Sequence, residues 1–119
     1  MTDKTKTIAE IKKVIQDFVN ARDWGQFHDP KNLSIMTITE AAELLEVFRW
    51  VKNDSADEHA QKNIEKVKHE VVDVFFSIIL LCNRCNIDLV KALEEKMTVN
   101  AQRYPVEKIK GKSLKYTEL

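Results

Sequence analysis

The sequence predicts an all-α protein, a four-helix bundle that assembles as an oligomer. Apolar residues recur at helical spacing in four successive segments. The chain has only two glycines and two prolines in 119 residues, which leaves room for few loops. A chain of this length is expected to form a single domain, residues 1–119. Because so short a chain hides only about 65% of its unfolded surface, association with further copies would help to stabilise it.

The first predicted helix begins after Thr7. Thr7 and Glu10 have the spacing of a capping box, in which each side chain accepts a hydrogen bond from the other residue's backbone amide. The apolar residues that follow repeat at helical spacing, and the pattern ends near Arg22 and Asp23. They are Ile8, Ile11, Val14, Ile15, Phe18 and Val19.

The second predicted helix follows a loop, residues 23–32, that is punctuated by Gly25 and by Asp29–Pro30. Pro30 suits the first helical turn, and the helix is expected to run to about Val51. One side of it carries Leu33, Met36, Glu40, Glu43, Val47 and Trp50. The opposite side is apolar as well, with Ile38, Ala41, Leu45 and Phe48. A helix that is apolar nearly all round is buried all round, so one of these sides is expected to meet another subunit.

The third predicted helix begins at a second capping box, Ser55 to Glu58. It extends to Arg84 or Cys85, with a break allowed in its early part, and Asn86 is a suitable C-terminal cap.

The fourth predicted helix is capped by Asp88 and ends before Pro105. Residues 106–119 are rich in lysine and are expected to form a flexible tail or one that lies against a partner. One side of the helix presents Lys96, Asn100 and Arg103. Such a side is either a solvated basic face or a set of donors for phosphate oxygens.

Charge and apolar runs exclude several classes of protein. Nineteen basic residues balance nineteen acidic ones, so no global positive field would attract nucleic acid. The N-terminus lacks the apolar core of a signal peptide, and the longest apolar run, Val71–Cys82, is too short to span a bilayer. We therefore expect a soluble cytoplasmic protein. Cys82 and Cys85 are expected to be core residues rather than a disulfide or half of a zinc site.

Two carboxylate pairs interrupt the apolar faces of the second and third helices. They are Glu40-x-x-Glu43 and Glu70-x-x-Asp73, and a short turn near residues 52–55 makes the two helices natural antiparallel neighbours. One such pair alone is also what the edge of an ordinary amphipathic helix carries. If the pairs face each other, two like charges about 4 Å apart repel by about 4 kcal/mol at an effective dielectric near 20. Protonation or a cation would relieve this repulsion.

Hard oxygen ligands without histidine or cysteine suit Mg²⁺ or Mn²⁺. A di-iron bundle would need Glu-x-x-His motifs, and neither His59 nor His69 stands three residues after a glutamate. The aromatic residues Trp24, Phe27 and Trp50 could form a slot for a nucleotide base, or could be ordinary core residues.

Seven stretches, in order along the chain, resemble the MazG-like, all-α nucleoside triphosphate pyrophosphohydrolases, and most closely the dCTP pyrophosphatase branch of that family. The family's paired motif is Glu-x-x-Glu followed by Glu-x-x-Asp, which here are separated by 26 residues. The resemblance covers nearly the whole chain. The stretches are Arg22–His28, Pro30–Leu33, Glu40–Glu43, Phe48–Trp50, Glu70–Asp73, Lys96–Pro105 and Lys115–Leu119.

The resemblance implies a set of functional residues. The expected ligands of Mg²⁺, and the catalytic groups, are Glu40, Glu43, Glu70 and Asp73. The expected nucleotide contacts are Trp24, Gly25, Gln26, Phe27, His28, Trp50, Lys96, Asn100 and Arg103. Two positions depart from the branch pattern, because Ser77 stands where a tyrosine is expected and Ile15 where a histidine is expected. These departures leave the base preference open.

The implied reaction is hydrolysis of a nucleoside triphosphate to a monophosphate and pyrophosphate, with dCTP or a modified dCTP as the expected substrate. Glu43 is the expected proton acceptor for the attacking water, and Glu46 is a second candidate at the edge of the same face. Three alternatives stay open at this point. They are a house-cleaning enzyme of broader specificity, a phosphohydrolase acting on other nucleotide-like ligands, and a non-catalytic helical interaction bundle.

Overall fold

The computed structural model describes all 119 residues, and it confirms the all-α prediction, since no strand is present. The helices are α1 Ile8–Asn20, α2 Pro30–Phe48, α3 Ala56–Lys62, α4 Ile64–Cys85, α5 Leu89–Arg103 and α6 Val106–Ile109. Short 3-10 turns cover Trp24–Phe27, Asn53–Ser55 and Tyr116–Glu118. None of the helices combines the length and the apolar character that a membrane span requires.

Most helix ends form where the sequence signals predict them. The Thr7 side chain accepts a bond from the Glu10 amide, and the Glu10 carboxylate accepts one from the Thr7 amide, which confirms the capping box. Asp88 caps α5 by accepting a bond from the Lys91 amide. Asn86 ends α4 with φ 57°, the left-handed conformation that asparagine tolerates better than most residues.

Two predictions about the second capping box and the second helix are wrong. Ser55 makes no capping hydrogen bond, because it closes a 3-10 turn with φ −103° and ψ 0° instead of taking the extended conformation of a cap. The helix α2 ends at Phe48 and not near Val51, and its last apolar position, Trp50, lies in the turn that follows.

The third predicted helix is broken at Asn63 into α3 and α4. The Asn63 amide and its side-chain Nδ2 both donate to the carbonyl oxygen of His59, at 3.1 and 2.9 Å. The backbone bond is the last regular one of α3, and the side chain adds a second bond to the same carbonyl oxygen, as asparagine side chains commonly do. At φ −118° and ψ 30° the Asn63 backbone leaves the α-helical conformation, which ends α3. The break lies early in the predicted helix, where the sequence analysis allowed one.

The chain divides into two compact units, residues 1–86 and 87–119. In the first unit, α2 and α4 pack along each other more extensively than any other pair of helices, and α1 packs on α4. The core of this unit is formed by Ile15, Val19, Leu33, Val47, Ile79, Leu80 and Cys82. Cys82 is buried as predicted, but Cys85 is exposed near the end of α4, so the prediction of a second core cysteine is wrong.

The second unit consists of α5 and the segment that follows it. Tyr116 packs back on the C-terminal end of α5, with its ring 6.2 Å from the Tyr104 ring and 4.5 Å from the Arg103 guanidinium. The lysine-rich segment 106–119 therefore contains one short helix and one 3-10 turn.

Candidate active site

Two antiparallel helices carry the four carboxylates of the candidate active site. Glu40 and Glu43 lie near the middle of α2, and Glu70 and Asp73 lie on α4. One carboxylate oxygen from each residue lies within 4.8 Å of those from the other three. We call these four residues the carboxylate cluster.

A partly buried hydrogen bond joins the two helices next to the carboxylate cluster. The Thr37 and Ser77 hydroxyls lie 2.9 Å apart, and Ser77 in turn donates to the carbonyl oxygen of Val74 at 2.7 Å. Ser77 is fully buried. Since Thr37 precedes Glu40 by three residues and Ser77 follows Asp73 by four, this bond fixes the helices about one turn from the cluster. The sequence singled out Ser77 only as a departure from the branch pattern, and nothing in it identified Thr37 as its partner.

The carboxylate cluster concentrates negative charge in a partly buried place. The pKa of Glu40 is raised above its ordinary value, first by desolvation, then by a hydrogen bond with Glu43 and by the negative charges of Glu43, Asp73 and Glu70. The Glu70 oxygen Oε2 is buried and has no hydrogen-bond partner in the protein. None of the five ion pairs of the chain involves a residue of the cluster. Repulsion is therefore not relieved by a basic side chain.

The donor set fits a hard divalent cation. All four groups are carboxylates, and no histidine or cysteine belongs to the cluster. Oxygen ligands of this kind suit Mg²⁺ or Mn²⁺ and disfavour zinc, which takes nitrogen and sulfur ligands more readily. The partnerless oxygen of Glu70 is the atom that a bound cation would satisfy.

A chain of aromatic rings connects Trp24 to the helix that carries Asp73. The Trp24 ring meets the Phe18 ring edge-on at 5.8 Å, and the Phe18 ring meets Phe76 at 6.0 Å. Phe76 stands three residues after Asp73, which is about one helical turn. Trp24 is 41% exposed, so part of its ring remains available to a ligand.

The other residues of the predicted nucleotide-binding segment, residues 24–28, differ from one another in their contacts and exposure. The Gln26 side chain is bound locally, because its Nε2 donates to the carbonyl oxygen and the carboxylate of Asp23. Phe27 is 60% exposed, while the His28 ring nitrogen Nδ1 is buried without a partner. A Cβ added at Gly25 would meet no atom within 4 Å, so this glycine faces open space.

Trp50 lies beyond the C-terminal end of α2 and is 84% exposed. The guanidinium of Arg49 lies 4.7 Å from its ring centroid, and no aromatic ring packs on it. Within one chain, Trp24 lies near the part of α4 that is C-terminal to Asp73. Trp50 lies beyond the end of α2, C-terminal to Glu43. Because the two helices are antiparallel, the two tryptophans lie toward opposite ends of the carboxylate cluster.

The three predicted phosphate contacts lie in the second unit. Lys96, Asn100 and Arg103 are on α5, where their spacing places them on one side of the helix. Arg103 also lies over the Tyr116 ring. Their role stays a prediction.

The chain is similar to known proteins in family, sequence and structure. Residues 35–119 match the model of the MazG-like family. The chain is 36% identical over 115 residues to dCTP pyrophosphatase 1 of Rattus norvegicus and 35% identical to that of Homo sapiens, covering 95% of this chain and 68% of each relative. A crystal structure of a pyrophosphatase from Archaeoglobus fulgidus is similar with a TM-score of 0.81 and 30% identity, covering 88% of this chain and 98% of that one.

Proposed function

Because this chain belongs to the MazG-like family and is a nucleoside triphosphate pyrophosphatase, we propose that it cleaves a pyrimidine deoxynucleoside triphosphate in a Mg²⁺-dependent reaction. The products are the monophosphate and pyrophosphate. The observation that carries the proposal is the carboxylate cluster, whose four oxygens lie within 4.8 Å of one another without a basic partner. Such a set is stable at neutral pH once a cation occupies it.

The four carboxylates are the proposed ligands, and Mn²⁺ is the alternative ion. A bound Mg²⁺ would supply charge neutralisation on the phosphate oxygens and a more acidic water. The protein's own contribution is to hold the carboxylates at fixed positions on two helices, which the Thr37–Ser77 bond fastens together. Preorganisation of this kind avoids reorganisation during the reaction.

Glu43 is the proposed proton acceptor for the attacking water. Its side chain is exposed at the cluster and is therefore open to solvent, whereas Glu40 beside it is partly buried with a raised pKa. Glu46, the second candidate, is a weaker one, because its carboxylate accepts a bond from the Arg49 guanidinium at 3.0 Å.

The nucleotide is proposed to lie with its triphosphate at the carboxylate cluster and its base toward Trp24. The exposed part of the Trp24 ring offers a stacking surface, and Gly25, Phe27 and His28 belong to the same segment. Lys96, Asn100 and Arg103 are proposed to hold phosphate oxygens, which their donors suit. The relatives named dCTP pyrophosphatase 1 support dCTP, or a dCTP modified on its base, as the substrate.

Product analysis tests the proposed reaction. The protein should release pyrophosphate from dCTP with Mg²⁺ present, and EDTA should abolish the release. The same assay run on the other common triphosphates ranks the bases and tests for a broader house-cleaning range. Release of orthophosphate instead of pyrophosphate would contradict the proposed bond cleavage, and turnover that persists in EDTA would contradict the metal dependence.

We also propose that the chain is a homo-oligomer, at least a dimer and in the favoured case a tetramer. The outer side of α2 leaves three large apolar side chains exposed in the single chain, Ile35 at 52%, Ile38 at 70% and Leu45 at 62%. A contiguous apolar face of this kind is typical of an interface. Trp50 comes directly after the same helix, so it would lie at this interface and could contact the second copy.

Sedimentation of the protein at micromolar concentration tests this assembly. The wild-type chain should sediment as a dimer or larger species, and Ile38→Asp should shift it toward monomer, because a charge in an apolar interface is strongly disfavoured. Asp54→Lys, a charge change in the turn after α2, is the control. A wild-type monomer would contradict the proposal.

A further inference from the structure

Two hydroxyl groups link α2 to α4 beside the carboxylate cluster, and we call Thr37 and Ser77 the hydroxyl pair. The Thr37 hydroxyl donates to Ser77 Oγ at 2.9 Å, and the Ser77 hydroxyl donates to the carbonyl oxygen of Val74 at 2.7 Å. The Thr37 hydroxyl also lies 2.9 Å from the carbonyl oxygen of Leu33, a fully buried core residue. The link therefore joins the buried part of α2 to the carbonyl group of the residue directly after Asp73.

The hydroxyl pair specifies the register of the two antiparallel helices. Moving three residues from Thr37 along α2 leads to Glu40, and moving four residues back from Ser77 along α4 leads to Asp73. A further three residues in each direction lead to the other two members of the carboxylate cluster. A slip of one turn would separate the hydroxyls and leave a buried oxygen without its donor, which is costly. The register in which the hydroxyls meet is thus the one in which the carboxylates meet.

The hydroxyl pair also limits the distance between α2 and α4. Packed helices lie about 8–10 Å apart, and the side chains at the contact decide where in this range they fall. Serine and threonine are small, and Ser77 is fully buried, so the helices are close at this point. They cannot separate here without breaking the 2.9 Å bond. Because the carboxylate cluster begins one turn away, its opening is limited as well.

The size and rigidity of a ligand set decide which divalent cation it prefers. Mg²⁺ requires nearly octahedral oxygens at about 2.0–2.1 Å, whereas Ca²⁺ accepts a looser set at about 2.3–2.6 Å. A carboxylate cluster held on two linked helices is therefore better suited to the smaller ion than the same carboxylates on helices that can move apart.

We infer that Thr37 and Ser77 are positioning residues that hold the carboxylate cluster at the spacing of a small cation, and so favour Mg²⁺ over Ca²⁺. They act through the register and spacing of α2 and α4, since both hydroxyls are already engaged within the protein. The inference rests on the proposed metal-dependent function and adds to it the residues that set the choice of ion.

Calorimetric titration of the full chain with Mg²⁺ and with Ca²⁺, in the absence of nucleotide, tests the inference. Thr37→Val keeps the shape of the side chain and removes the hydroxyl. The Mg²⁺ affinity should fall about threefold to tenfold, which corresponds to part or all of one hydrogen bond. The Ca²⁺ affinity should change less than about twofold, so the ratio of the Mg²⁺ affinity to the Ca²⁺ affinity falls.

Two further variants of α2 are matched controls. The Thr39 hydroxyl makes the same local bond, to the carbonyl oxygen of Ile35 at 2.8 Å, but Thr39 is exposed and makes no hydrogen bond to another helix. Thr39→Val should therefore leave both affinities unchanged. Thr37→Ser keeps the hydroxyl and should retain the wild-type ratio of affinities. If Thr37→Val does not fold, Ser77→Ala takes its place.

Thermal unfolding in EDTA distinguishes a positioning role from a purely structural one. Thr37→Val and Ser77→Ala remove the same bond, so the double variant should be destabilised by less than the sum of the two single effects. Variants that lose stability but keep the wild-type ratio of Mg²⁺ to Ca²⁺ affinity would overturn the inference and leave the hydrolase proposal intact. A wild-type protein that binds neither ion would overturn the metal site, and the inference with it.

Discussion

Replacing Glu70 by glutamine is expected to lower the rate of pyrophosphate release roughly 100- to 1,000-fold. The substitution keeps the shape of the side chain and removes one of the four negative charges that converge within 4.8 Å. A metal ion contributes several kcal/mol to a hydrolysis of this type, and each 1.4 kcal/mol corresponds to about a factor of ten in rate. Steady-state kinetics on dCTP at several Mg²⁺ concentrations measure the effect.

The control for this prediction lies on the same helix. Glu65 is exposed on α4 and paired with Lys68 at 2.9 Å, so Glu65→Gln removes the same charge outside the carboxylate cluster. It should change the rate less than about twofold, because exposed ion pairs contribute little. If Glu70→Gln were as active as Glu65→Gln, the carboxylate cluster would not be the catalytic centre.

The sequence predicts the helices well because their signals are local. The Thr7 and Asp88 caps and the Asn86 terminator depend on neighbouring residues only, and all three form as expected. Ser55 has the same capping pattern but does not cap α3, because its backbone belongs to the 3-10 turn that precedes the helix. A capping motif shows which hydrogen bonds are possible. Whether they form depends on the backbone conformation of the preceding turn.

The sequence predicts which four residues form the carboxylate cluster, but not the register of α2 against α4 that brings them together. Periodicity places Glu40 and Glu43 on one face and Glu70 and Asp73 on another, but it does not give the register in which α2 and α4 pack, and the two pairs meet only in the right register. The Thr37–Ser77 bond depends on contacts across 40 residues of sequence, for which no local pattern exists.

The stability of the protein should respond to Glu40→Gln in opposite directions with and without Mg²⁺. Without metal, Glu40 has a raised pKa in the folded state, so the folded protein binds more protons than the unfolded one above the ordinary value of 4.5. Stability therefore falls as the pH rises through the folded-state pKa, and the full penalty is present at pH 7. At pH 7 the variant should therefore be more stable by about 1 kcal/mol. This is the repulsion energy of two like charges about 4 Å apart in water, and the value for water applies because Glu43 and Asp73 are exposed.

With Mg²⁺ the order reverses. An ion that binds only the folded state stabilises it by about 2.7 kcal/mol at 100 times its dissociation constant, and the variant loses most of this gain. Thermal unfolding of the wild type and the variant at fixed protein concentration measures the effect. It is recorded in EDTA and in Mg²⁺, each at pH 4 and at pH 7. The apo advantage of the variant should disappear at pH 4, where the wild-type carboxyl is protonated. If Glu40→Gln instead destabilised the apo protein at pH 7, Glu40 would hold a structural hydrogen bond, and the repulsion on which the metal site rests would be absent.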